Sequence, residues 1–471
     1  MNQPGTSLIL TAPRKQLAEW GLRDGASVPL VCGRLQGTVS VKQSAKDEQT
    51  TSLRWPDGRL TFQIQGLSGQ IVYSKAEGFR IGPVIGIMTT GVRRDLKKPI
   101  GGRTSLLSDF VRASRELNVL CYVFNASDVN FADGTVRGVT LSGPPGRESW
   151  TFARFPLPEV VYNRVPHRRA ETLPDVKKCK ERFGGMGVPL FNERFLNKNE
   201  MYRWLARDPR SVAYIPATDR MRSPDALQRF IQTHKLVYLK PTGGSLGMGI
   251  YQVEREKQGY LVRYKRERQH ATTRFLTADA LYQFVKRRAH PKSTYLMQQG
   301  IRLMEYQGRK TDFRVHLHKN GRGEWEAAGI GGKVAGADSV TTHVHNGGKV
   351  VDGDRALRAW YGERAGQMRE RMIDVSIRVA DVIQGLLKGE SGEFGLDVGL
   401  DQDGHVWVFE TNAKPGRAIF RHPELVAAGK KSARLVLEYA AHLVKFPLTQ
   451  GLAKGGRADE PQRHHPHRSP H

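Results

Sequence analysis

"FGLDVGLDQDGHVWVFETN", residues 394–412, alternates apolar and polar positions on either side of an Asp-Gly pair, the pattern of a two-stranded hairpin. Side chains two apart on a strand share a face, so Glu410 and Asn412 point the same way, and Asp397 on the preceding strand can lie beside them. Two carboxylates and an amide oxygen are hard ligands, a set that suits Mg²⁺ bridging phosphates. Taken alone, a salt-bridged edge hairpin accounts for the same residues.

Two stretches upstream raise the same choice. In "YLKPTGGSLGMGIYQV" (238–253) Lys240 precedes the glycines, so this is not a P-loop, and no helix signal follows, so the dinucleotide-binding fingerprint fails. What remains is a flexible lid between two strands. Gly243, Gly244, Gly247 and Gly249 let backbone N–H groups approach phosphate oxygens, and Lys240 brings a point charge. A glycine-rich hairpin tip with a solvated lysine fits equally. In "TDFRVHLHKN" (311–320) Arg314 lies on a strand of apolar and histidine neighbours and needs an anionic partner. A phosphate serves, and so does Glu410 in a structural ion pair.

The chain has 471 residues, enough for about three domains at roughly 150 residues each. Hydrophobic residues make up 39%, so most of it should fold. Lys and Arg outnumber Asp and Glu 74 to 46, and a formal charge of +28 attracts phosphates, nucleic acids or anionic polymers. The excess is scattered through "VPHRRAET", "YKRERQ" and "VKRRAHPK", with neither an arginine-rich arm nor an aromatic-interleaved RNA-binding signature, so solvated faces absorb most of it. Cys32, Cys121 and Cys179 have no disulfide or metal-ligand spacing. No secretory start or membrane-length apolar run is evident, and the expected address is the cytosol.

Residues 1–80 read as a small β-rich domain, with "LRWPDGRLTFQI" as one hairpin. Residues 81–169 read as α/β: the strand "GPVIGIMTT", the helix "SLLSDFVRASREL" and the strand "VLCYVF". From 170 to 447 helices open at Ser223-Pro224 and Thr277, and residues 355–388 carry Met368, Met372, Val375, Val379, Val382 and Leu386 on one inward face. The His-rich tail, 448–471, is expected to be disordered. His343 and His345 read as a solvated polar face.

The order of these parts carries more than any one of them. Lys198, Lys240 with the glycine loop, the strand and linker "YLMQQGI" (295–301), Asp312-Phe313-Arg314, Asp397, then thirteen residues on Glu410-Thr-Asn412 and Pro415-Gly416 together resemble the ATP-grasp superfamily over about 170–445. "RFLNKNEMYRWLARDPRSVAYIPAT", "GPVIGIM", "NGGKV" and the β-rich start extend the likeness, and the chain resembles a full-length member of the endospore coat-associated YheC/YheD family, from a spore-forming Gram-positive bacterium. The implied fold is a mixed α/β and α+β multi-domain one: an ATP-grasp domain with a lid at about 200–300, preceded by the two smaller domains.

The resemblance implies ATP and Mg²⁺ as cofactors. Lys198 and Lys240 would contact the phosphates, with Gly243, Gly244, Ser245, Gly247 and Gly249 as the lid. Gln298, Gln299, Gly300 and Ile301 would form the adenine hinge, although Gln299 stands where many ATP-grasp enzymes carry glutamate. Arg314 would reach the γ-phosphate, and Asp397, Glu410 and Asn412 would hold the metal. Lys333 lies where related ligases place a basic residue and Arg417 follows the Pro-Gly turn, so both would bind a substrate carboxylate, with Asn346 as a further substrate candidate, although His343 stands where relatives usually have asparagine. The implied reaction is ATP-dependent activation of an unidentified carboxylate as an acyl phosphate, passed to an amine or other nucleophile. A spore coat structural or interaction protein that binds nucleotide without turnover is the alternative. Spore coat proteins are the implied partners, and no membrane partner is expected. Nucleic acid is not expected either, although the charge alone leaves salt-dependent binding of anionic polymers open.

Overall fold

The computed structural model describes residues 8–45, 52–54, 61–63, 70–242, 249–266, 269–289, 294–336, 342 and 347–448. Four sheets follow one another along the chain. The first runs in the order Thr61–Gln63, Ser52–Arg54, Leu8–Ala12, Leu35–Gln43, Ser27–Cys32, Gly78–Gly82 and Gln70–Ser74. Alternation in the Leu8 strand buries Leu8, Leu10 and Ala12. Ser52–Arg54 and Thr61–Gln63 pair antiparallel, as the Pro-Asp-Gly signal predicts, while the turn itself lies outside the described residues.

The second sheet is built on four parallel neighbours, Leu120–Asn125, Val84–Thr89, Val160–Asn163 and Leu190–Phe191. Val84–Thr89 is buried at every position, as expected of a strand covered on both faces. Helix Thr104–Glu116 makes the first crossover, and its Leu107, Phe110 and Val111 share a core with Ala433, Val436 and Leu437 of the last helix, Val426–Leu443. Two elements expected within the ATP-grasp region join this part instead. Helix Pro174–Gly185 buries Val176, Cys179 and Phe183 against the first two sheets, and Leu190–Phe191 extends the second. We propose a domain boundary near residue 192 in place of 169/170.

The third sheet, in the region expected to be the lid, orders Thr218–Arg220, Tyr295–Gln299, Leu236–Pro241, Tyr251–Arg255, Tyr260–Arg266 and Gln269–Phe275. Its two helices start where their caps predict: the Ser223 hydroxyl accepts from the Ala226 amide and that of Thr277 from the Ala280 amide, each at 3.2 Å. The fourth sheet is antiparallel, in the order Lys349–Asp352, Trp325–Val334, Arg309–Lys319, Glu393–Leu400 and Val406–Asn412. One face carries Phe313, Val315, Leu317, Phe394, Leu396 and Val398 into the core with helix Ala365–Leu386.

The long periodic segment is two helices, Gly353–Tyr361 and Ala365–Leu386, parted at Gly362, whose φ of +54° no helix accepts. Met368, Met372, Val375, Val379 and Val382 face inward as expected, but Leu386 closes the helix and is 49% exposed. No helix among the described residues is long and apolar enough to cross a membrane. The three cysteines are buried free thiols, and the expected disordered tail lies, beyond Leu448, outside the described residues.

Candidate nucleotide and metal site

The fourth sheet turns its polar face toward the third, and the site forms between them. From the Asp-Gly turn the ladder runs regularly, Leu400 opposite Val406 and Val398 opposite Val408, then slips by one so that Asp397 faces Glu410. Phe409 is the extra residue of this bulge. Regular pairing would set Phe409 opposite Asp397 and turn Glu410 to the apolar face, because a one-residue slip exchanges the faces of a strand. Asn412, two further on, faces Gly395. A side chain at Gly395 would meet Pro415 Cβ at 2.5 Å and Arg314 Nη1 at 3.2 Å, so the glycine keeps room for that guanidinium.

Arg314 lies opposite Asp397 on the other flank, and its Nε donates to Asp397 Oδ1 at 2.7 Å. Lys333 Nζ lies 3.1 Å from the same oxygen and 3.0 Å from Asp312 Oδ1, while the Thr342 hydroxyl donates to the other oxygen of Asp312. Burial alone would raise the Asp397 carboxyl, but Arg314 and Lys333 together outweigh it and hold the group below the ordinary carboxylate range. Asp312 is pushed up by burial, which the Lys333 ammonium only partly offsets. The ion pair weighed for Arg314 with Glu410 is not the one formed. Glu410 takes Lys198 instead, with Nζ 3.1 Å from Oε2. Lys198 is placed by the start of helix Lys198–Leu205, where Asn197 Oδ1 accepts from the amides of Asn199 and Glu200 at 2.9 and 3.3 Å.

Lys240 comes to the same place from the third sheet. It donates to Gln298 Oε1 and stands 5.6 Å from the centre of the Tyr238 ring and 5.9 Å from that of Phe409. Burial first, and the nearby Lys198 charge second, bring its ammonium down to about 8. Gln298 is fully buried and passes the contact on, its Nε2 donating to Thr218 Oγ1 at 3.1 Å. The Tyr202 hydroxyl donates to the Phe409 carbonyl and pins the bulge. In the hinge segment the amides of Gln299 and Gly300 are already committed, to the carbonyls of Ala217 and Leu236 at 2.8 Å each. Gln299 Oε1 also accepts from the Ala217 amide at 3.2 Å. Gly300 must be glycine, since a Cβ there would lie 2.4 Å from Leu236 Cγ.

Three contact groups therefore adjoin: Arg314 and Lys333 on Asp397, Lys198 on Glu410 opposite it in the ladder, and Lys240 on Gln298 with the Phe409 ring beside it. Gly249 is described, with φ +70°, but Gly243, Gly244, Ser245, Gly247 and Asn346 lie outside the described residues, as do His343 and His345. Arg417 is not linked to that set. It is 5% exposed, its Nη1 donates to Ser432 Oγ at 2.5 Å and its Nη2 to the Gly429 carbonyl at 2.8 Å. Sequence reasoning missed the bulge at Phe409, the roles of Tyr202 and Thr342, and the buried Glu393, whose Oε1 accepts from Tyr162 at 2.5 Å and Arg164 at 2.8 Å.

Among the described residues no group of three or more His, Cys, Asp or Glu side chains is set to hold a metal ion. The donor set nevertheless suits a hard cation, because Asn412, two residues past Glu410 on the same strand, would add an amide oxygen and phosphate oxygens complete such sites. Arg314 and Lys333 hold Asp397 ionised and in place, and Lys198 lies 3.1 Å from Glu410.

Residues 187–443 match the family model described as YheC/D like ATP-grasp. The endospore coat-associated protein YheD of Bacillus subtilis (strain 168) is 33% identical over 372 residues, covering 78% of this chain and 80% of the relative. YheC of the same organism, also named endospore coat-associated, is 21% identical over 280 residues, 57% of this chain and 74% of its own. Among solved structures, the ATP-grasp ligase PsnB complexed with minimal precursor aligns with a TM-score of 0.43 at 14% identity, over 76% of this chain and 99% of that one. D-alanyl-alanine synthetase A from Vibrio cholerae O1 aligns with a TM-score of 0.43 at 13% identity, over 77% and 99%. The chain belongs to the YheC/D-like ATP-grasp family.

Proposed function

We propose that the protein is an ATP- and Mg²⁺-dependent ligase that activates a carboxylate and joins it to an amine or other nucleophile, in association with the spore coat. The observation that supports this best is the row Arg314, Asp397, Glu410 and Lys198 across three strands and a helix start, with Lys240 approaching from the facing sheet. A structural hairpin has no need of cations from two sheets converging on two carboxylates. Asp397, Glu410 and Asn412 would hold Mg²⁺, which when bound supplies charge neutralisation for the phosphates.

The chain's own groups do the positioning. Lys240 and Lys198 would hold phosphate oxygens, and Arg314 would stabilise the charge spreading over the γ-phosphoryl group as it transfers. The substrate carboxylate oxygen attacks the γ-phosphorus, the bond to the β-bridging oxygen breaks and ADP leaves. The nucleophile then attacks the acyl carbon, phosphate departs, and an attacking amine loses one proton to solvent. Lys333 would orient the incoming carboxylate.

The test is ATP binding together with phosphate release, for the wild type and Glu410→Ala, across amino acids, peptides and coat-polymer fragments. Mg²⁺-dependent ATP binding lost in Glu410→Ala, with substrate-dependent phosphate release, supports the ligase. Binding without release for any substrate moves the assignment to a nucleotide-binding coat protein. Equal ATP affinity in both proteins removes the metal assignment.

A further inference from the structure

The second sheet carries a set of cations that the nucleotide site leaves unused. Its strand order places Val84–Thr89 between Leu120–Asn125, which follows it, and Val160–Asn163, which the chain reaches later. The connections therefore leave in opposite directions between Thr89 and Asn163, and in open parallel sheets ligands bind at the carboxyl ends of such a pair. Here those ends are ringed by positive charge. Between Thr90 and Arg103 the chain places Arg93, Arg94, Lys97, Lys98 and Arg103 against the single acid Asp95.

The arrangement is built. Asn125 at the end of the neighbouring strand holds the loop, accepting from the Val92 amide at 2.8 Å and donating to the Val92 carbonyl at 3.2 Å. Arg103 Nη1 donates to Thr89 Oγ1 at 2.5 Å, and that hydroxyl donates to the Arg164 carbonyl at 3.1 Å. Arg164 reaches onward to Glu393 at 2.8 Å and to the Pro415 carbonyl at 3.3 Å, in the loop that follows Asn412. Pro415 in turn packs at Gly395, beside the Arg314 guanidinium. A continuous path of contacts thus runs from the exposed basic loop to the predicted γ-phosphate position.

Charge along this path is unbalanced. Among the described residues neither Arg103 nor Arg417 has a carboxylate within 4.0 Å, and Glu393 is the single fully buried acid for Arg164 and its neighbours. Buried Arg417 Nε and Glu393 Oε2 also have no hydrogen-bond partner there. Arg103 lies at the start of helix Thr104–Glu116, whose first turn carries no acid and whose amino end adds positive potential.

We propose that this edge is a docking site for an acidic peptide, with Arg93, Arg94, Lys97 and Lys98 holding its outer carboxylates and Arg103 an inner one on the way to Arg314. The assignment of a reacting carboxylate rests on the ligase reading, but binding does not. The four loop side chains are exposed, so their replacement leaves the fold intact.

The experiment measures hexaglutamate binding to the full chain without nucleotide, by fluorescence anisotropy at fixed salt. The variants are Arg103→Met, the fourfold Arg93→Ser/Arg94→Ser/Lys97→Ser/Lys98→Ser, and a control of equal charge loss at exposed positions elsewhere, Arg14→Ser/Lys15→Ser/Arg203→Ser/Lys257→Ser. The expected result is a loss of about tenfold or more in the loop variant and under about twofold in the control, with hexaglutamine not bound. Arg103→Met, which also loses its ties to Thr89 and Thr90, is read beside the loop variant. A loss no larger in the loop variant than in the control overturns the site, and so does tighter binding of a ten-nucleotide thymidine strand than of hexaglutamate. A protein that binds hexaglutamate but not ATP refutes the nucleotide reading alone. One that binds ATP but not hexaglutamate refutes this one alone.

Discussion

Lys240 shows at the residue scale what the site asks of a side chain. Its ammonium is partly buried beside Phe409 and Gln298, with another lysine close by, and its pKa falls to about 8. A lowered lysine pKa means that the fold disfavours the charged form. That cost is present below about pH 8 and fades as pH rises from there toward the ordinary lysine value. A bound phosphate favours the charged form, so above about pH 8 ATP binding must take up a proton. The expected outcome is ATP affinity that is flat from pH 7 to 7.5 and falls above 8, approaching about tenfold per unit, with Lys240→Met weaker but flat. Calorimetry in two buffers of different ionisation enthalpy checks the proton uptake. Asp397 gives a second residue-scale expectation. Asp397→Asn leaves Arg314 without a countercharge, whereas Lys333 keeps Asp312, so the loss of stability should be about 3 kcal/mol, at the low end for a broken buried pair. Denaturant unfolding measures it. Sequence reasoning reached each of these residues through order and resemblance, but not their partners. Arg314 with Asp397 and Lys198 with Glu410 are set by strand register, which residue type does not encode.

At the scale of elements the decisive feature is one residue of register. The alternation in "VWVFETN" was enough to put Glu410 and Asn412 on one face, and the Asp-Gly pair was enough to predict the hairpin. Whether Asp397 shared that face depended on Phe409 being surplus to the ladder, and a bulge leaves no mark in an apolar position. Deleting Phe409 should restore regular pairing and turn Glu410 away from Asp397 and Lys198. The expected result is a folded chain, by circular dichroism, in which Mg²⁺ no longer strengthens ATP binding. Phe409→Ala keeps the residue count and should retain that Mg²⁺ dependence, with ATP binding weakened only by the lost ring. If both variants behave alike, register is not what positions Glu410. Helix boundaries followed the same logic. The caps at Ser223 and Thr277 were legible because they are local, while the break at Gly362 lay within a stretch read as one periodic segment, ahead of the apolar face that starts at Met368.

At the scale of the molecule, the sequence led to an expectation of successive β-rich, α/β and ATP-grasp regions but not of the helices they share. The last helix belongs by sequence to the ATP-grasp region, yet Val436, Leu437, Tyr439 and Ala440 pack with Ile85 and Tyr162 of the second sheet and with Phe110 of its crossover helix. Glu393, on the hairpin that carries Asp397 and Glu410, likewise depends on Tyr162 and on Arg164, which follows the last strand residue Asn163. A chain beginning at residue 170 would expose this apolar face and leave a fully buried carboxylate without its donors. Each large side chain returned to water costs about 1.5–3 kcal/mol, and an unpaired buried charge a further ~3–5 kcal/mol. Together these approach ~10 kcal/mol, comparable to the stability of a typical domain. The truncated chain is therefore expected to bind a hydrophobic dye, to unfold without a cooperative calorimetric peak, and to lose ATP binding although every predicted nucleotide and metal residue is retained. A cooperative, ATP-binding fragment would show instead that the second sheet only rests against the ATP-grasp core, and that the buried Glu393 cluster contributes little to holding the site together.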